Sequence, residues 1–211
     1  DGLEAQRLAT TLARDADRIL DARIAGLRIL SLSPLAEDPA RWPELYREAQ
    51  GFHLGFGDHV ALMDHQMRPH FHTRVRYGDA LPPVVSEATQ KVALAALALS
   101  VPRVGDAYVG KISRENSIAV AVPGRQGGET AFVILGVLAV SGFQGLLDGL
   151  PLPSQWSAVI RDGQGQVIAR RIDGRTDSDG APAHADDLLR FLAVPQTAAS
   201  SRRPTRCRSC R

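Results

Sequence analysis

Cysteine is nearly absent from this 211-residue chain: there are two, and both lie beside the C-terminus at Cys207 and Cys210. A structural zinc ribbon needs a second such pair, or histidines at set spacing, so one C-x-x-C in an Arg/Ser/Pro stretch reads as a tail and not as a metal or redox site. Aromatic residues make up only 5%, which leaves Leu, Val, Ile and Ala to build the core. Lysine is confined to Lys91 and Lys111, so almost every basic residue is arginine, a pattern of GC-rich coding. Charge of one sign is lacking too. The net charge is +2, and five arginines with no acid sit in the last eleven residues, which gives no footing for a nucleic-acid partner. No apolar run approaches the ~18 residues of a membrane span. Nor is there a signal peptide, and the chain begins at Asp1 without Met, as an excised or processed piece would. The motifs of common enzymes are missing as well: no G-x-S-x-G, no glycine-rich phosphate loop and no H-E-x-x-H.

What is present is 44% hydrophobic residues in a strong pattern. From Leu3 to Leu32 no proline intervenes, and Leu8, Leu12, Ala16, Ile19, Leu20, Ile24 and Leu27 recur at helical spacing. The spacing predicts a helix of about 45 Å, ended by Ser33-Pro34, part of which should project or pair with a second copy. A second helix is expected over 42–52 and a third, alanine-rich one over 84–100. Strands are expected at His59–Asp64 and Pro69–Arg76, joined at Gln66-Met67-Arg68. Three more are expected at Gly105–Ile112, Ser117–Val122 and Thr130–Val140, with Pro123-Gly124 and Gly127-Gly128 in the turn before the last. Gly136 inside that last strand permits a bulge or a close approach. A short helix over 143–150 leads to Pro151-Leu152-Pro153.

After this linker a hairpin, Trp156–Arg161 and Gly165–Arg170, echoes the first one: in each an apolar strand ends in Asp, at Asp64 and Asp162, and a turn follows. That repeat suggests the start of a second, incomplete module. Beyond about 172 the chain turns polar, with 186–194 the one further helix candidate. The domain reading is therefore 1–33 as a long helix and 34–150 as a first module. Residues 151–172 form the linker and first hairpin of a second module, and 173–211 a poorly structured tail.

The order helix, helix, hairpin, helix, three antiparallel strands resembles the PAS-like arrangement. Together with the long helix it resembles the double-Cache sensor domains of bacterial receptor kinases and related receptors. The resemblance is carried by three stretches: Val60 to Pro82, with Asp64, Thr73-Arg74, Gly78 and Leu81-Pro82; Ile118 to Pro123; and Trp156 to Arg170. It covers about residues 3–172. It implies an α+β fold: a long N-terminal helix and a five-stranded antiparallel PAS-like sheet flanked by helices, followed by part of a second PAS-like module. It also implies a non-catalytic, extracytoplasmic, periplasmic sensor, membrane-anchored in its full-length receptor, of which a sensor histidine kinase is the favoured kind. Such a domain dimerises through the long helix and takes a small ligand, without any cofactor. The Arg, Trp, Tyr and Asp signature of the amino-acid-binding subclass is not found in this sequence, so amino acids are not the expected ligand.

Candidate ligand-binding residues follow from side-chain chemistry. Asp106, Tyr108 and Gly110 alternate on one predicted strand face, and Lys111, Arg114 and Ser117 follow. Two hydroxyls and two cations in one hairpin would suit a small carboxylate. Arg74, predicted to share a strand face with His70, His72 and Arg76, would hold such an anion if that face were internal, and would be an ordinary surface charge if it were not. His65, His70 and His72 are candidates for a metal site or a pH response. Two other readings remain beside the sensor: a ligandless module for dimerisation or signal relay, and a metal or pH sensor built on these histidines.

Overall fold

In the computed structural model, residues 2–82, 85–172 and 175–177 are described. The C-x-x-C and the helix expected over 186–194 lie outside them. The first helix, α1, runs Gly2–Ser31, then α2 spans Pro34–Glu37, and a short turn of 3-10 helix leads into α3, Trp42–Phe56. Ser33 caps α2, its hydroxyl accepting from the Leu35 N–H, and Gly57 ends α3 in the left-handed region at φ 76°. Next come β1 (His59–Asp64), β2 (Pro69–His72), α4 (Glu87–Leu99), β3 (Arg103–Val109), β4 (Asn116–Gln126) and β5 (Glu129–Ala139). Then α5 (Ser141–Asp148) leads to β6 (Ala158–Arg161), β7 (Val167–Ile172) and β8 (Arg175–Asp177).

Strands β1 to β5 form one antiparallel sheet in the order β2-β1-β5-β4-β3, and β6, β7 and β8 form a second, smaller sheet. The expected α+β architecture is thus what the chain adopts. Alternation along each central strand sorts its side chains between two faces. On one, Val60, Leu62, Ile118, Val120, Val122, Phe132 and Ile134 join Leu20, Leu27, Leu45 and Phe52 of α1 and α3 in the main core. On the other, Ala61, Met63, Ala119, Ala121, Val133 and Leu135 meet Val92, Ala93 and Ala96 of α4.

Three expectations need correction. Strand β4 runs straight through Pro123-Gly124, and only Gly127-Gly128 form the turn, both at positive φ. Pairing with β3 ends at Arg103 opposite Ala121, so a residue without an N–H breaks no ladder on that side. Gly124 is required for space, because a Cβ there would sit 2.0 Å from the Phe132 ring. Strand β2 stops at His72 instead of running on to Arg76, because side chains take over the backbone bonds. The Val60 N–H donates to the Thr73 hydroxyl, and the Arg74 N–H donates to His72 Nδ1. The long helix does not project. Its N-terminal turns, at Ala5, Leu8, Ala9 and Leu12, share an apolar crevice with Leu150, Leu152, Trp156 and Val159.

At Gly136 the strand is regular, paired to Val60 on one side and Val120 on the other. The approach there is close instead, with Leu27 Cδ1 3.0 Å from where a Cβ would stand. The hairpin repeat is also real in its bonding. The Asp64 carboxylate accepts from the N–H groups of Gln66 and Arg68, and the Asp162 carboxylate from those of Gln164 and Gln166. The other oxygen of Asp162 accepts from the Ala107 N–H, tying the second hairpin to β3.

Candidate ligand-binding cleft

Small side chains on the α4 face of the sheet leave room, and a cleft of about 590 Å³, counted out to its mouth, opens between that face, the N-terminus of α4 and the loop after β3. Ala61, Met63, Phe71, Leu135 and Val137 supply its apolar floor, and Leu81, Pro82 and Val85 its rim. Polar groups come from His72, Ser86, Thr89, Tyr108, Lys111 and Ser113.

Each polar group is held by its local structure. Ser86 caps α4: its hydroxyl accepts from the Thr89 N–H at 3.1 Å and lies 2.7 Å from the Thr89 hydroxyl. Burial pushes the Tyr108 phenol up, a shift only partly offset by a hydrogen bond with Thr89. His72 is buried, and because its Nδ1 accepts from the Arg74 N–H, its proton must sit on Nε2. Burial, followed by the nearby His59 and Arg74, lowers its pKa to about 4, so the ring is neutral at physiological pH.

Of the residues expected from sequence, the structure brings Tyr108 and Lys111 to this cleft. The other four are elsewhere. Asp106 is turned away by an irregularity of β3 between Val104 and Ala107, and lies 3.8 Å from Lys91 of α4. Arg114 sits in the loop turn at φ 57° and is not among the lining residues. Ser117 is buried, its hydroxyl donating to the Glu115 carbonyl. Arg74 works as a strap at one end: its Nε donates to His59 Nε2 at 3.2 Å, one terminal nitrogen donates to the Ser113 carbonyl, and the other lies 3.7 Å from Glu115.

The histidines separate. His70 donates to the Asp64 carboxylate and meets Trp42 edge-on at 4.4 Å, whereas His72 adjoins His59, whose ring stacks on His53. The predicted common face of His70, His72, Arg74 and Arg76 therefore does not form. Among the described residues no three His, Cys, Asp or Glu side chains are grouped to hold a metal. At Asp64 burial would raise the carboxyl, but the bonds from His70, Arg68 and Gln66 prevail and hold it down to about 2. It is a turn lock.

Sequence reasoning missed Ser86, Thr89, Ser113 and the rim residues Leu81, Pro82 and Val85, and it considered His72 only for a metal site or a pH response. The signal for Ser86 was available, as a serine three residues before Thr89 at the start of an alanine-rich helix.

No family model matches the sequence, and no curated protein does. Solved structures do match. The ligand-binding domain of the Campylobacter jejuni chemoreceptor Tlp3 with L-norvaline superposes at TM-score 0.62, with 12% identity over 79% of this chain and 68% of that one. The domain of the Pseudomonas aeruginosa PAO1 amino acid chemoreceptor PctC with GABA gives 0.56 and 17%, over 78% and 71%. That of Pseudomonas fluorescens CtaA with L-valine gives 0.57 and 14%, over 77% and 71%. At such identities the fold is what is shared, and this chain has the PAS-like, Cache-type fold of bacterial receptor ligand-binding domains.

Proposed function

We propose that this chain is the extracytoplasmic ligand-sensing domain of a transmembrane signalling receptor and that the cleft beneath α4 is its binding site. The observation that carries the reading is the cleft itself: it stays open, is mostly apolar, and gathers a few polar groups from α4, β2 and β3. A module that only relayed motion would fill this space with its own side chains. The cleft is also unsuited to catalysis. The Ser86 hydroxyl is paired with Thr89, and His72 Nδ1 accepts from the backbone, so among the described residues neither serves the other as nucleophile and base. Binding without chemical change is the reading that remains.

The receptor would be anchored in the inner membrane with this domain in the periplasm. Among the described residues no helix is long and apolar enough to cross a membrane. The domain would dimerise through α1, and ligand would select between two arrangements of that helix. The sequence resemblance favours a sensor histidine kinase as the whole receptor, and the structural neighbours named above are chemoreceptors. The sensing step has the same physical form in either.

Thermal unfolding of the purified chain against small carboxylates, amino acids and divalent metals, with EDTA as control, tests the reading. One chemical class at a hundred times its Kd should raise Tm by about 5–10 °C. A flat response to every class would shift the reading to a ligandless relay.

A further inference from the structure

The polar groups of the cleft differ in kind from those a zwitterion requires. His72 offers Nε2–H, since its other nitrogen is already an acceptor, and no hydrogen bond from another described residue reaches that atom. Lys111 offers an ammonium with no acidic partner among the described residues. Ser113 accepts from the Glu115 N–H, which leaves its hydroxyl proton to donate. Donors therefore abound.

Acceptors do not. No Asp or Glu is among the cleft's described lining. Of the acids that border it in sequence, Asp64 is held by Arg68 and His70, Glu115 by Arg74 and Asp106 by Lys91, while Asp79 and Glu87 are exposed and do not line it. The hydroxyls of Ser86 and Thr89 bond to one another and to the first turn of α4. The Tyr108 phenol is hydrogen-bonded with Thr89. Most of the remaining surface is hydrocarbon, from Met63, Phe71, Leu81, Val85, Leu135 and Val137.

We infer that the ligand is an apolar carboxylate without an ammonium group, its oxygens taking the His72 Nε2–H and the Lys111 ammonium while its hydrocarbon body lies on the apolar floor. This rests on the sensor reading above and narrows it. An α-amino acid of the same skeleton would bring an ammonium into the cleft, strip its water and find no carboxylate to accept its protons. A plain carboxylate makes the same contacts without that cost. A free amine would have the apolar contacts and neither of the donor contacts.

Three molecules of matched skeleton separate these cases: 4-methylpentanoate, L-leucine (its 2-amino derivative) and 3-methylbutylamine, which lacks the carboxylate. Isothermal calorimetry on the 211-residue chain at pH 7 should find 4-methylpentanoate bound about 10- to 100-fold more tightly than leucine, with the amine unbound. Lys111→Met should weaken 4-methylpentanoate by about tenfold or more. His72→Phe should weaken it similarly, while His72→Gln, which keeps a donor, should restore part of the affinity.

Leucine binding as tightly as the carboxylate, or more so, would overturn the ligand class and leave the sensor reading standing. So would affinity unmoved by Lys111→Met and His72→Phe. If none of the three binds, the class falls, and a fluorescent apolar anion, 8-anilinonaphthalene-1-sulfonate, decides the rest. Emission enhanced by the folded chain and lost in Ala61→Leu would show that the cleft still admits apolar ligands. No enhancement would remove the sensor reading with the class. If Ala61→Leu fails to fold by circular dichroism, Val137→Phe blocks the same floor from β5.

Discussion

On one face of the five-stranded sheet Leu62, Val120, Ile134 and Phe132 stand opposite leucines and aromatics from α1 and α3, and on the other Ala61, Ala119 and Ala121 stand opposite Ala93 and Ala96. The two layers share the same strands and ladders, so backbone geometry does not distinguish them. Side-chain volume does. Where large residues meet large residues, the face closes. Where alanines meet alanines, helix α4 approaches but leaves the cleft between its N-terminus and the loop after β3. One face thus serves stability and the other leaves room for a ligand.

The largest effect should come from cutting the same number of atoms out of each face. Leu27 is fully buried and rests on Gly136. Leu27→Ala should cost about 3–4 kcal/mol in chemical denaturation, because a rigid layer cannot collapse into the space left. Leu135 is just as buried but borders the cleft, so its loss enlarges a space already open to water. Leu135→Ala should cost about 2 kcal/mol. Equal costs for the two variants would mean the faces do not differ in density.

The next effect concerns charge. His72 is a buried imidazole on the cleft face, with its pKa lowered to about 4 by burial and by His59 and Arg74 beside it. The folded state thus holds fewer protons than the unfolded state between pH 6.5 and 4, so stability falls as pH drops through that window. The fall due to this group should reach about 3 kcal/mol. His59, whose pKa is lowered by burial and then by His53 and Arg74, adds in the same direction. The Arg74 strap depends on it, since Arg74 Nε donates to an unprotonated His59 Nε2. Denaturant unfolding of His72→Gln at pH 7 and pH 4 should show a shallower decline than the parent. An unchanged decline would place the titrating groups elsewhere, with Asp64 contributing only below about pH 4, as its carboxylate becomes protonated.

How much of this was legible differs by kind of information. Periodicity located the long helix, the third helix and the strand His59–Asp64, because each buries a face whose spacing is written locally. The repeated Asp at 64 and 162 was legible as a pattern and proves to be one bonding scheme, a carboxylate gathering two N–H groups of the turn. The cleft was half legible. Of the ligand-binding candidates, Tyr108 and Lys111 both line it, but Arg114 and Asp106 follow a loop turn and a strand irregularity that alternation does not encode. Arg74 was misplaced for a similar reason: strand spacing puts it on the face of His72, yet the His72 ring and the Thr73 hydroxyl capture backbone N–H groups and end the strand first. The open space itself depends on which alanines end up facing each other across α4, a long-range fact that no local window holds.

The smallest effect tests the looser face from its edge. The first hairpin turn places Met67 at φ 61°, while the corresponding position of the second hairpin is Gly165 at φ 82°. A side chain in the left-handed region is strained, and glycine is not. Met67 packs its half-buried side chain on the cluster beneath α4, so Met67→Gly exchanges relief of strain for lost apolar contact. On a tightly packed face the lost contact would dominate. Because this cluster is the open one, relief should win, with a gain of about 0.5 kcal/mol and a Tm raised by about 1–2 °C in calorimetry. A loss of stability instead would mean that Met67 helps to close the cleft face, and that its sulfur and methyl contribute more there than an alanine-rich layer can replace.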